Sequence, residues 1–368
     1  MKKRSTDEHS QLGRKNRRDT LIVIGLTVVI IAGAFLMTRW INPGYSHSPF
    51  TREEWVLDDQ VTISAYGKKQ SQVEAAVSDA FTSIHDVDAI ANRYREDSEI
   101  SLLNANAAEH PVAVSDELWE MISIGMEAYK QSNGLFDITI APLADLWDVL
   151  GRKDRGDPPP SDGEIKQAMA KVGADKLVLD ETKHTVFFSQ PGMGIELGGM
   201  AKGYALDRAS DALRRGGVNT ALIDMISTSM VIGAKPGAAG PDWQIGISNP
   251  RGGDYLGTLS IAGDDYVSTS GDNERFFEYN GVRYHHILDP RTGYPARGVI
   301  SDTVIGAENG TWSDIMSTAA FIMGYPEGLN WVQGVKQANG LIVDAAGQVH
   351  YSPGVGPLIE SMQQSISP

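Results

Sequence analysis

Residues 192–203 read GMGIELGGMAKG, and the chain continues through Tyr204, Ala205 and Asp207 in a pattern typical of a helix. Glycines directly before a helix N-terminus let backbone N–H groups approach a phosphate, and the helix dipole favours an anion there. Lys202 would add a positive charge. The alternative interpretation is a tight glycine turn that packs a strand against a helix. The spacing matches neither a Walker loop nor a Rossmann motif, so this segment alone leaves both interpretations open.

Helical and strand patterns precede this segment. Apolar residues recur at helical spacing in one early stretch, at Val73, Val77, Phe81, Ile84 and Val87. A second helix is predicted from an N-cap at Ser115 to a stop at Asn133-Gly134. Residues 61–66 have the pattern of a strand. Residues 151–163, GRKDRGDPPPSDG, indicate a polar loop.

The second half of the chain is rich in predicted strands. They are KLVL, TVFF, TALI, WQIGI, TLSI, RFFEY and VRYHHIL, and LIVDA and QVHYS follow near the end. Asn280-Gly281 between two of them is a strong signal for a hairpin. Two helices are predicted around residues 312–323 and 325–335. Because strands and helices mix without a regular βαβ alternation, the sequence predicts an α+β fold.

The N-terminal region differs from the rest of the chain. Residues 21–37 form an uncharged apolar run of 17 residues with no polar face, which is at the lower limit for crossing a bilayer. Seven basic residues lie before the run and only Arg39 follows it closely. By the positive-inside rule, the N-terminus is then cytoplasmic and the remainder lies outside. A cleaved signal peptide is the alternative, but no convincing small-residue cleavage site follows the run.

These signals divide the chain into four segments. We expect a basic cytoplasmic tail at 1–20, a retained transmembrane signal anchor at 21–38, a linker at 39–50 and one folded domain at 51–360. The expected location is therefore the cell membrane, with a single span and an extracytoplasmic domain.

Composition excludes several classes of function. The 368 residues include no cysteine, so the chain has no disulfide, no thiolate nucleophile and no zinc–thiolate site. The net charge is −15, and because the first 40 residues are basic, the remainder is more acidic still. An acidic body is poorly suited to nucleic acid, which requires a basic surface.

Two later segments carry residues suited to chemistry. Residues 284–295 lead two adjacent histidines, His285 and His286, from a strand into a turn. Because neighbours on a strand point to opposite faces, at most one of them can face a given site. Asp314 and Thr318 are four residues apart on a predicted helix, so they share a face and offer the oxygen ligands that magnesium prefers. The structural alternative for each is a carboxylate that caps a turn or a helix.

Together with residues 92–104 and 134–143, these segments form an ordered series of motifs. In that order they resemble the ApbE family of FAD:protein FMN transferases, across nearly all of residues 50–355. The matching positions are Tyr94, Ser98 and Asn104; Asp137, Thr139 and Pro142; Glu196 to Tyr204; Thr269-Ser270-Gly271; His286 to Pro295; and Asp314 with Thr318.

The resemblance implies a fold, an activity and a set of site residues. It implies a single ApbE-like, T-fold-like catalytic domain that transfers FMN from FAD to a threonine or serine of an extracytoplasmic acceptor flavoprotein, with Mg²⁺ as cofactor and AMP as the second product. The flavin site would comprise Tyr94, Leu135, Phe136 and Asp137, with Leu288, Asp289 and Thr292 shaping the pocket, and Glu196 and Lys202 near the nucleotide half of FAD. Magnesium would be held by Asp314, Thr318, a carbonyl near Gly199 and the Ser317 position, and His286 would be the general base.

Three positions depart from the family pattern. The usual Asn-x-Gly-Gly-Asp segment is Asp224 to Ser229 here, a change expected to reshape the nucleotide pocket or the acceptor channel. Glu196 replaces the usual aspartate, and Ser317 stands where some members have a second acidic ligand. Two alternatives therefore stay open. The same site could hydrolyse FAD to FMN and AMP, or it could bind FAD without catalysis.

Overall fold

An eight-stranded antiparallel sheet is the centre of the protein, described here by a computed structural model of residues 48–236, 243–335 and 338–367. With strands numbered along the chain, its spatial order is β1 (Phe50–Val56), β2 (Asp59–Ala65), β6 (Ala221–Met225), β7 (Thr228–Ile232), β10 (Asp265–Gly271), β13 (Val299–Ile305), β14 (Asn339–Asp344) and β15 (Val349–Tyr351).

The described residues also form three smaller sheets. They are β3 (Val112–Ala113), β5 (Thr185–Phe188) and β4 (Leu177–Asp180); β11 (Phe276–Tyr279) and β12 (Val282–His285); and β16 (Ile359–Met362), β9 (Gly257–Ile261) and β8 (Trp243–Ile247). Short 3₁₀ turns occur at Ala174–Lys176 and Gly356–Leu358.

Nine α-helices occur in the described residues. They are α1 (Gln70–Ala91), α2 (Glu99–Asn106), α3 (Asp116–Gln131), α4 (Ala141–Trp147), α5 (Val149–Arg155), α6 (Asp162–Met169), α7 (Ala201–Arg215), α8 (Gly310–Met323) and α9 (Glu327–Gly334). The combination of these helices with antiparallel sheets confirms the predicted α+β class.

Apolar periodicity positions the longest helices on the sheet. The predicted positions of α1, including Val77 and Phe81, are buried in one core with Ile63 of β2 and Leu206 of α7. Since burial of such side chains contributes about 1.5–3 kcal/mol each, this face holds α1 and α7 against the sheet. Helix α8 packs against β10 and β13. The start of α7 and the middle of α8 are thereby brought to the same region of the sheet.

Local signals account for several element boundaries. The Ser115 side chain accepts a hydrogen bond from the Leu118 N–H (3.2 Å), which confirms the predicted N-cap of α3. The β11–β12 hairpin turns at Asn280-Gly281, both with positive φ, as its sequence predicts. Strand β12 ends at His285, so His286 follows the strand instead of belonging to it.

The prediction of a loop over residues 151–163 is wrong for about half of that segment. Its first five residues belong to α5, where Arg155 forms an ion pair with Asp148 (2.9 Å), the left-handed residue that precedes the helix. Its last two belong to α6, which starts after a capping box formed by Ser161 and Glu164. The helix-forming residues around Gly151 and this cap outweigh the polar, proline-rich composition.

The N-terminal predictions lie outside the described residues. No helix of residues 48–236, 243–335 or 338–367 is long and apolar enough to cross a membrane. The predicted tail, the predicted anchor at 21–38 and most of the linker at 39–50 are not covered, so they stay predictions.

Candidate active site

A cavity of about 850 Å³ lies where α7, α8 and the loop after β12 meet the sheet. This is near the upper end of the range of about 300–1,000 Å³ for small-molecule sites. Most of the site residues predicted from the sequence line it: Tyr94, Leu135, Phe136, Asp137, Glu196, Gly199, Lys202, His286, Leu288, Asp314 and Thr318. These residues come from segments more than 200 positions apart in the sequence, and the fold brings them together around one cavity.

Two glycines bring α7 and α8 into direct contact at the cavity. A Cβ on Gly203 would lie 2.0 Å from the carbonyl oxygen of Gly310, and a Cβ on Gly310 would lie 2.6 Å from that of Gly203. No larger residue fits at this crossing. The close approach places Asp314 of α8 at the N-terminal turn of α7, where its Oδ2 accepts a hydrogen bond from the Gly203 N–H (3.0 Å).

A second carboxylate joins the two helices. Asp207 of α7 accepts hydrogen bonds from the backbone N–H groups of Gly310 (2.7 Å) and Thr311 (2.9 Å), and from the Thr311 hydroxyl (2.7 Å). These are N–H groups that the helix itself cannot satisfy. Asp207 therefore caps α8 from a neighbouring helix and fixes the position of its first turn.

Asp314 is the carboxylate best suited to a cation in the cavity wall. Burial raises its pKa to about 6, while the hydrogen bond from Gly203 and the positive charge of Lys202 oppose that shift. At neutral pH the group is therefore mostly ionised but incompletely compensated. Thr318 lies one turn along α8, and its Oγ1 would be 3.5 Å from a Cβ placed on Gly199. The predicted oxygen ligands Asp314, Thr318 and Gly199 are thus neighbours.

Asp314 also changes the expected role of the glycine-rich segment. The Gly203 N–H, at the start of α7, donates to the carboxylate of Asp314. The anion at this helix N-terminus is thus a side chain of the protein. Lys202 is likewise engaged, because its Nζ donates to Asp59 Oδ2 (2.6 Å) and Ser227 Oγ (2.8 Å).

Glu196 belongs to a charge network at another part of the cavity wall. Its Oε1 accepts from the Gly198 N–H (2.8 Å), and its Oε2 accepts from Arg93. Arg93 also pairs with Asp145 (2.5 Å) and lies over the ring of Tyr94, 4.6 Å from the centroid. The arginine thereby supports the Tyr94 ring, which is 64% exposed and free to stack on a planar ligand.

The loop before α4 gives the cavity an apolar wall. Leu135 and Phe136 are buried there, and the Phe136 ring approaches Gly199 closely. The carboxylate of Asp137 accepts from the backbone N–H (2.8 Å) and the hydroxyl (2.6 Å) of Thr139, while burial raises its pKa. The bonds to Thr139 fix the turn that presents Leu135 and Phe136.

The two histidines occupy different environments, as predicted. His285 is buried against Phe321, its Nε2–H donates to the Ala296 carbonyl (2.9 Å), and its Nδ1 accepts from the Ile287 N–H (3.3 Å). His286 lines the cavity, and burial lowers its pKa to about 3. Its Nδ1 is buried and has no hydrogen-bond partner among the described residues.

Three predicted residues do not line the cavity. Asp289 is held by Arg291 in the turn after β12, and the Thr292 hydroxyl accepts from the Tyr294 N–H (3.2 Å). The Ser317 hydroxyl donates to the Asp314 carbonyl and is 2.9 Å from the Ser270 hydroxyl, so it faces β10. Their side chains are therefore engaged within the protein, and their predicted ligand contacts stay predictions.

Several cavity residues were missed by the sequence reasoning. Glu274 and Arg275 line the cavity three and four positions after the Thr269-Ser270-Gly271 motif, which is the only signal that pointed to them, and burial raises the pKa of Glu274. Asp145 also lines the cavity and pairs with Arg93, whereas Asp59 lies outside the cavity lining and pairs with Lys202. Isolated charged residues of this kind carry no motif, so pattern analysis does not identify them.

The cavity wall is predominantly acidic. Seven carboxylates line it, against three basic residues, Arg93, Lys202 and Arg275. No group of three or more His, Asp or Glu residues within the described ranges could hold a metal ion. The predicted magnesium set contains one carboxylate, two hydroxyls and a carbonyl, so it would not form such a group. Magnesium is commonly bound by one or two carboxylates together with substrate phosphates, and Asp314 with Thr318 fits that pattern.

Comparison with known proteins identifies the family. A sequence model described as the ApbE family matches residues 57–342, which is more than half of the chain. The chain belongs to the ApbE family. Two relatives named FAD:protein FMN transferase are similar over most of their length. The one from Treponema pallidum (strain Nichols) is 30% identical over 83% of this chain and 87% of its own. The one from Klebsiella pneumoniae (strain 342) is 34% identical over 71% and 79%.

Solved structures agree with this assignment to the ApbE family. The ApbE protein of Thermotoga maritima superposes with a TM-score of 0.76 at 30% identity, over 85% of this chain and 100% of its own. The flavin transferase ApbE of Vibrio cholerae has a TM-score of 0.72 at 22% identity, over 84% and 98%, which supports the fold alone. The mixed α+β domain of this chain is therefore the ApbE fold.

Proposed function

We propose that this protein transfers FMN from FAD to a threonine or serine hydroxyl of an acceptor protein and releases AMP. Transfer of FMN from FAD to protein is the activity stated in the names of its relatives, and the chain is an enzyme of that class. The observation that carries the proposal is one cavity that combines an apolar wall for a flavin ring with Asp314 and Thr318, the oxygen ligands for a cation that would hold a pyrophosphate.

The charge of the cavity supports a requirement for a divalent cation. A pyrophosphate is an anion, and seven carboxylates in the wall would repel it. Asp314 and Thr318 would hold Mg²⁺ together with the carbonyl of Gly199. Such an ion stabilises the negative charge that develops on phosphate oxygens as the P–O bond breaks.

The side chains of the protein supply positioning and proton transfer. Tyr94 would stack on the isoalloxazine ring, supported by Arg93, while Leu135 and Phe136 would pack against it. The acceptor hydroxyl oxygen would bond to the phosphorus of the FMN half while the bond from that phosphorus to the AMP oxygen breaks. The hydroxyl proton would pass to the imidazole of His286, which lines the cavity. A nearby pyrophosphate would raise the low pKa of this histidine, because an opposite charge favours the protonated form.

The experiment that tests the proposal uses a candidate acceptor domain, FAD and Mg²⁺. Mass spectrometry should show the acceptor heavier by one phosphoester-linked FMN, and AMP should appear in equal amount. If FMN and AMP appear while a supplied acceptor stays unlabelled, the protein is an FAD pyrophosphatase. If FAD binds and no AMP is released, it is a binding module. Either result would refute the transferase proposal.

A matched pair of histidine variants tests the role of His286. Removal of a general base typically costs on the order of 10²- to 10⁴-fold in rate. His286→Ala should lose transfer while still binding FAD, whereas His285→Ala should lose much less, because His285 does not line the cavity. The reverse result would show that the wrong histidine has been assigned.

We also propose that residues 21–38 anchor the protein with its domain outside the cytoplasm. The support is the uncharged apolar run with basic residues before it. Protease added to intact cells, or to spheroplasts where an outer membrane is present, should digest the domain and leave a cytoplasmic control protein intact. Full protection of the domain, or its recovery in the cytosolic fraction, would contradict this location.

A further inference from the structure

Asp302 is a buried carboxylate without a partner. It lies in the middle of β13, it is 0% exposed, and neither carboxylate oxygen forms a hydrogen bond with any group in the described ranges. Its position would suit an apolar residue, because the next inward-facing residue of the strand, Val304, lies in an apolar core. A buried polar group without a hydrogen-bond partner destabilises the fold, and a buried charge without a partner does so more strongly.

Strand register shows what surrounds this carboxylate. Asp302 is directly opposite Ser270 of β10, and paired residues of antiparallel strands point to the same face. The Ser270 hydroxyl is 2.9 Å from that of Ser317, so this face is the one covered by α8. On the other side, Asp302 is opposite Ile342 of β14, which packs in an apolar core with Phe321 of α8.

Two more unpartnered hydroxyls lie on the same interface. Ser268 precedes Ser270 by two positions on β10, so it points to the same face, and Ser313 precedes Ser317 by one turn on α8. Both are 0% exposed, and neither hydroxyl has a hydrogen-bond partner within the described part of the chain. We call the five residues the serine–aspartate seam: Ser268, Ser270, Asp302, Ser313 and Ser317.

The seam contains oxygen atoms and a single formal charge. Burial raises the pKa of Asp302 well above its usual value, and no charged side chain contributes to the shift. The only opposing influence is the backbone N–H of Thr303, which does not form a hydrogen bond of normal geometry with the carboxylate. Such a group must either keep a proton or bind a cation that the protein does not itself supply.

We propose that the serine–aspartate seam is a binding site for a small monovalent cation of the Na⁺ type. A carboxylate with several hydroxyls offers the hard oxygen ligands that such ions take. One positive charge neutralises the one carboxylate, whereas a divalent ion would leave a net charge in the core. The cation links α8 to β10 and β13, and it thereby fixes the helix that carries Asp314 and Thr318.

The carboxylate of this site is distinct from that of the proposed magnesium site. Asp314 lines the cavity, whereas Asp302, Ser268 and Ser313 do not. The seam adjoins the cavity at Ser270, which lines it, and at Ser317, whose hydroxyl bonds to the Asp314 carbonyl. The charge of Asp314 does not contribute to the shift of the Asp302 pKa. The inference therefore does not depend on flavin transfer, and it would stand if that activity were absent.

The test measures unfolding of the full-length protein in detergent, without FAD or Mg²⁺, in NaCl, KCl or choline chloride at equal ionic strength. For one site, each tenfold increase in free Na⁺ above its dissociation constant should raise the ratio of folded to unfolded protein about tenfold. Choline cannot enter the seam, so it should have no such effect. Asp302→Asn should abolish the dependence on Na⁺, and Asp314→Asn, a matched change on the cavity side, should retain it.

Two results would overturn the proposal. Equal stability in NaCl, KCl and choline chloride would mean that Asp302 keeps a proton. A dependence on Na⁺ that survives Asp302→Asn would place the ion elsewhere. If Asp302→Asn does not fold, Ser313→Ala replaces it, since removal of one neutral ligand should shift the midpoint of the Na⁺ dependence to higher concentration, and an unchanged midpoint would refute the site.

Discussion

Replacement of Gly203 by alanine tests the contact on which the arrangement of the cavity depends. The new Cβ would lie 2.0 Å from the Gly310 carbonyl oxygen and 2.8 Å from Asp314 Cβ. Since Cβ atoms do not approach other atoms within 3.0 Å, α7 and α8 must separate by about 1 Å. The Gly203 N–H would then move away from Asp314 Oδ2, now 3.0 Å distant.

The expected loss of stability follows from these two effects. Overpacking in a core costs about 1–3 kcal/mol. Weakening a hydrogen bond to a buried carboxylate costs about 1.5–3 kcal/mol, and the better helix propensity of alanine returns about 1 kcal/mol. We therefore expect the free energy of unfolding to fall by about 1.5–5 kcal/mol, a large part of the total for a typical domain. Affinity for Mg²⁺ in the presence of FAD should fall as well, because Asp314 and Thr318, both on α8, move away from the carbonyl near Gly199 that precedes α7.

Urea unfolding and a Mg²⁺ titration monitored by flavin fluorescence measure both effects. The matched control is Gly334→Ala in α9, where an added Cβ meets nothing within 4 Å and alanine should be neutral or slightly stabilising. If Gly203→Ala behaves like Gly334→Ala in both assays, the contact between α7 and α8 does not position Asp314, and the reasoning is wrong.

Three further predictions concern single residues. Asp314→Ala should abolish turnover and leave FAD binding weakened but measurable by fluorescence, and full activity would rule out its role as a metal ligand. Burial lowers the pKa of His285 to about 4. The unfolded state therefore binds more protons than the folded state between about pH 6.5 and 4, so the free energy of unfolding should decrease as the pH is lowered through that range. In His285→Gln the slope of urea stability against pH should flatten, and an unchanged slope would contradict the assignment. Ile226 has a φ of 60° and is 68% exposed, so Ile226→Gly should raise the free energy of unfolding by about 1 kcal/mol, while a decrease would mean that its side chain contributes more than the strained backbone costs.

Elements with a strong local signal were predictable from the sequence. Helix α1 follows from its apolar spacing, α3 from Ser115, and the β11–β12 hairpin from Asn280-Gly281. Helix α5 was missed because it is short, polar and interrupted by Gly151, and because its stability comes from the tertiary environment and the pair between Asp148 and Arg155.

The candidate site was predictable to the extent that its residues lie in motifs. His286, Asp314 and Thr318 were identified in this way, and all three line the cavity. The hydrogen-bond partners of the site residues were not predictable. Asp59, for example, reaches Lys202 only after the chain has folded. The altered segment 224–229 was expected to reshape the site, and one consequence was not foreseen: Ser227 hydrogen-bonds to Lys202. Strand pairing is needed to see that Asp302 faces Ser270, since they are 32 positions apart.

The wall of the cavity runs from Trp55 to Ile322, and this spacing has a consequence for biogenesis. Contacts between residues so distant in sequence form slowly and late, after the loops between them have closed. A nascent chain, which emerges N-terminus first, therefore has no flavin pocket until α8 has docked. FAD can stabilise only molecules that have completed this step, by mass action on the finished fold. Bound FAD would thus distinguish the completed enzyme from truncated or stalled chains. A protease could degrade those chains because no bound FAD stabilises them.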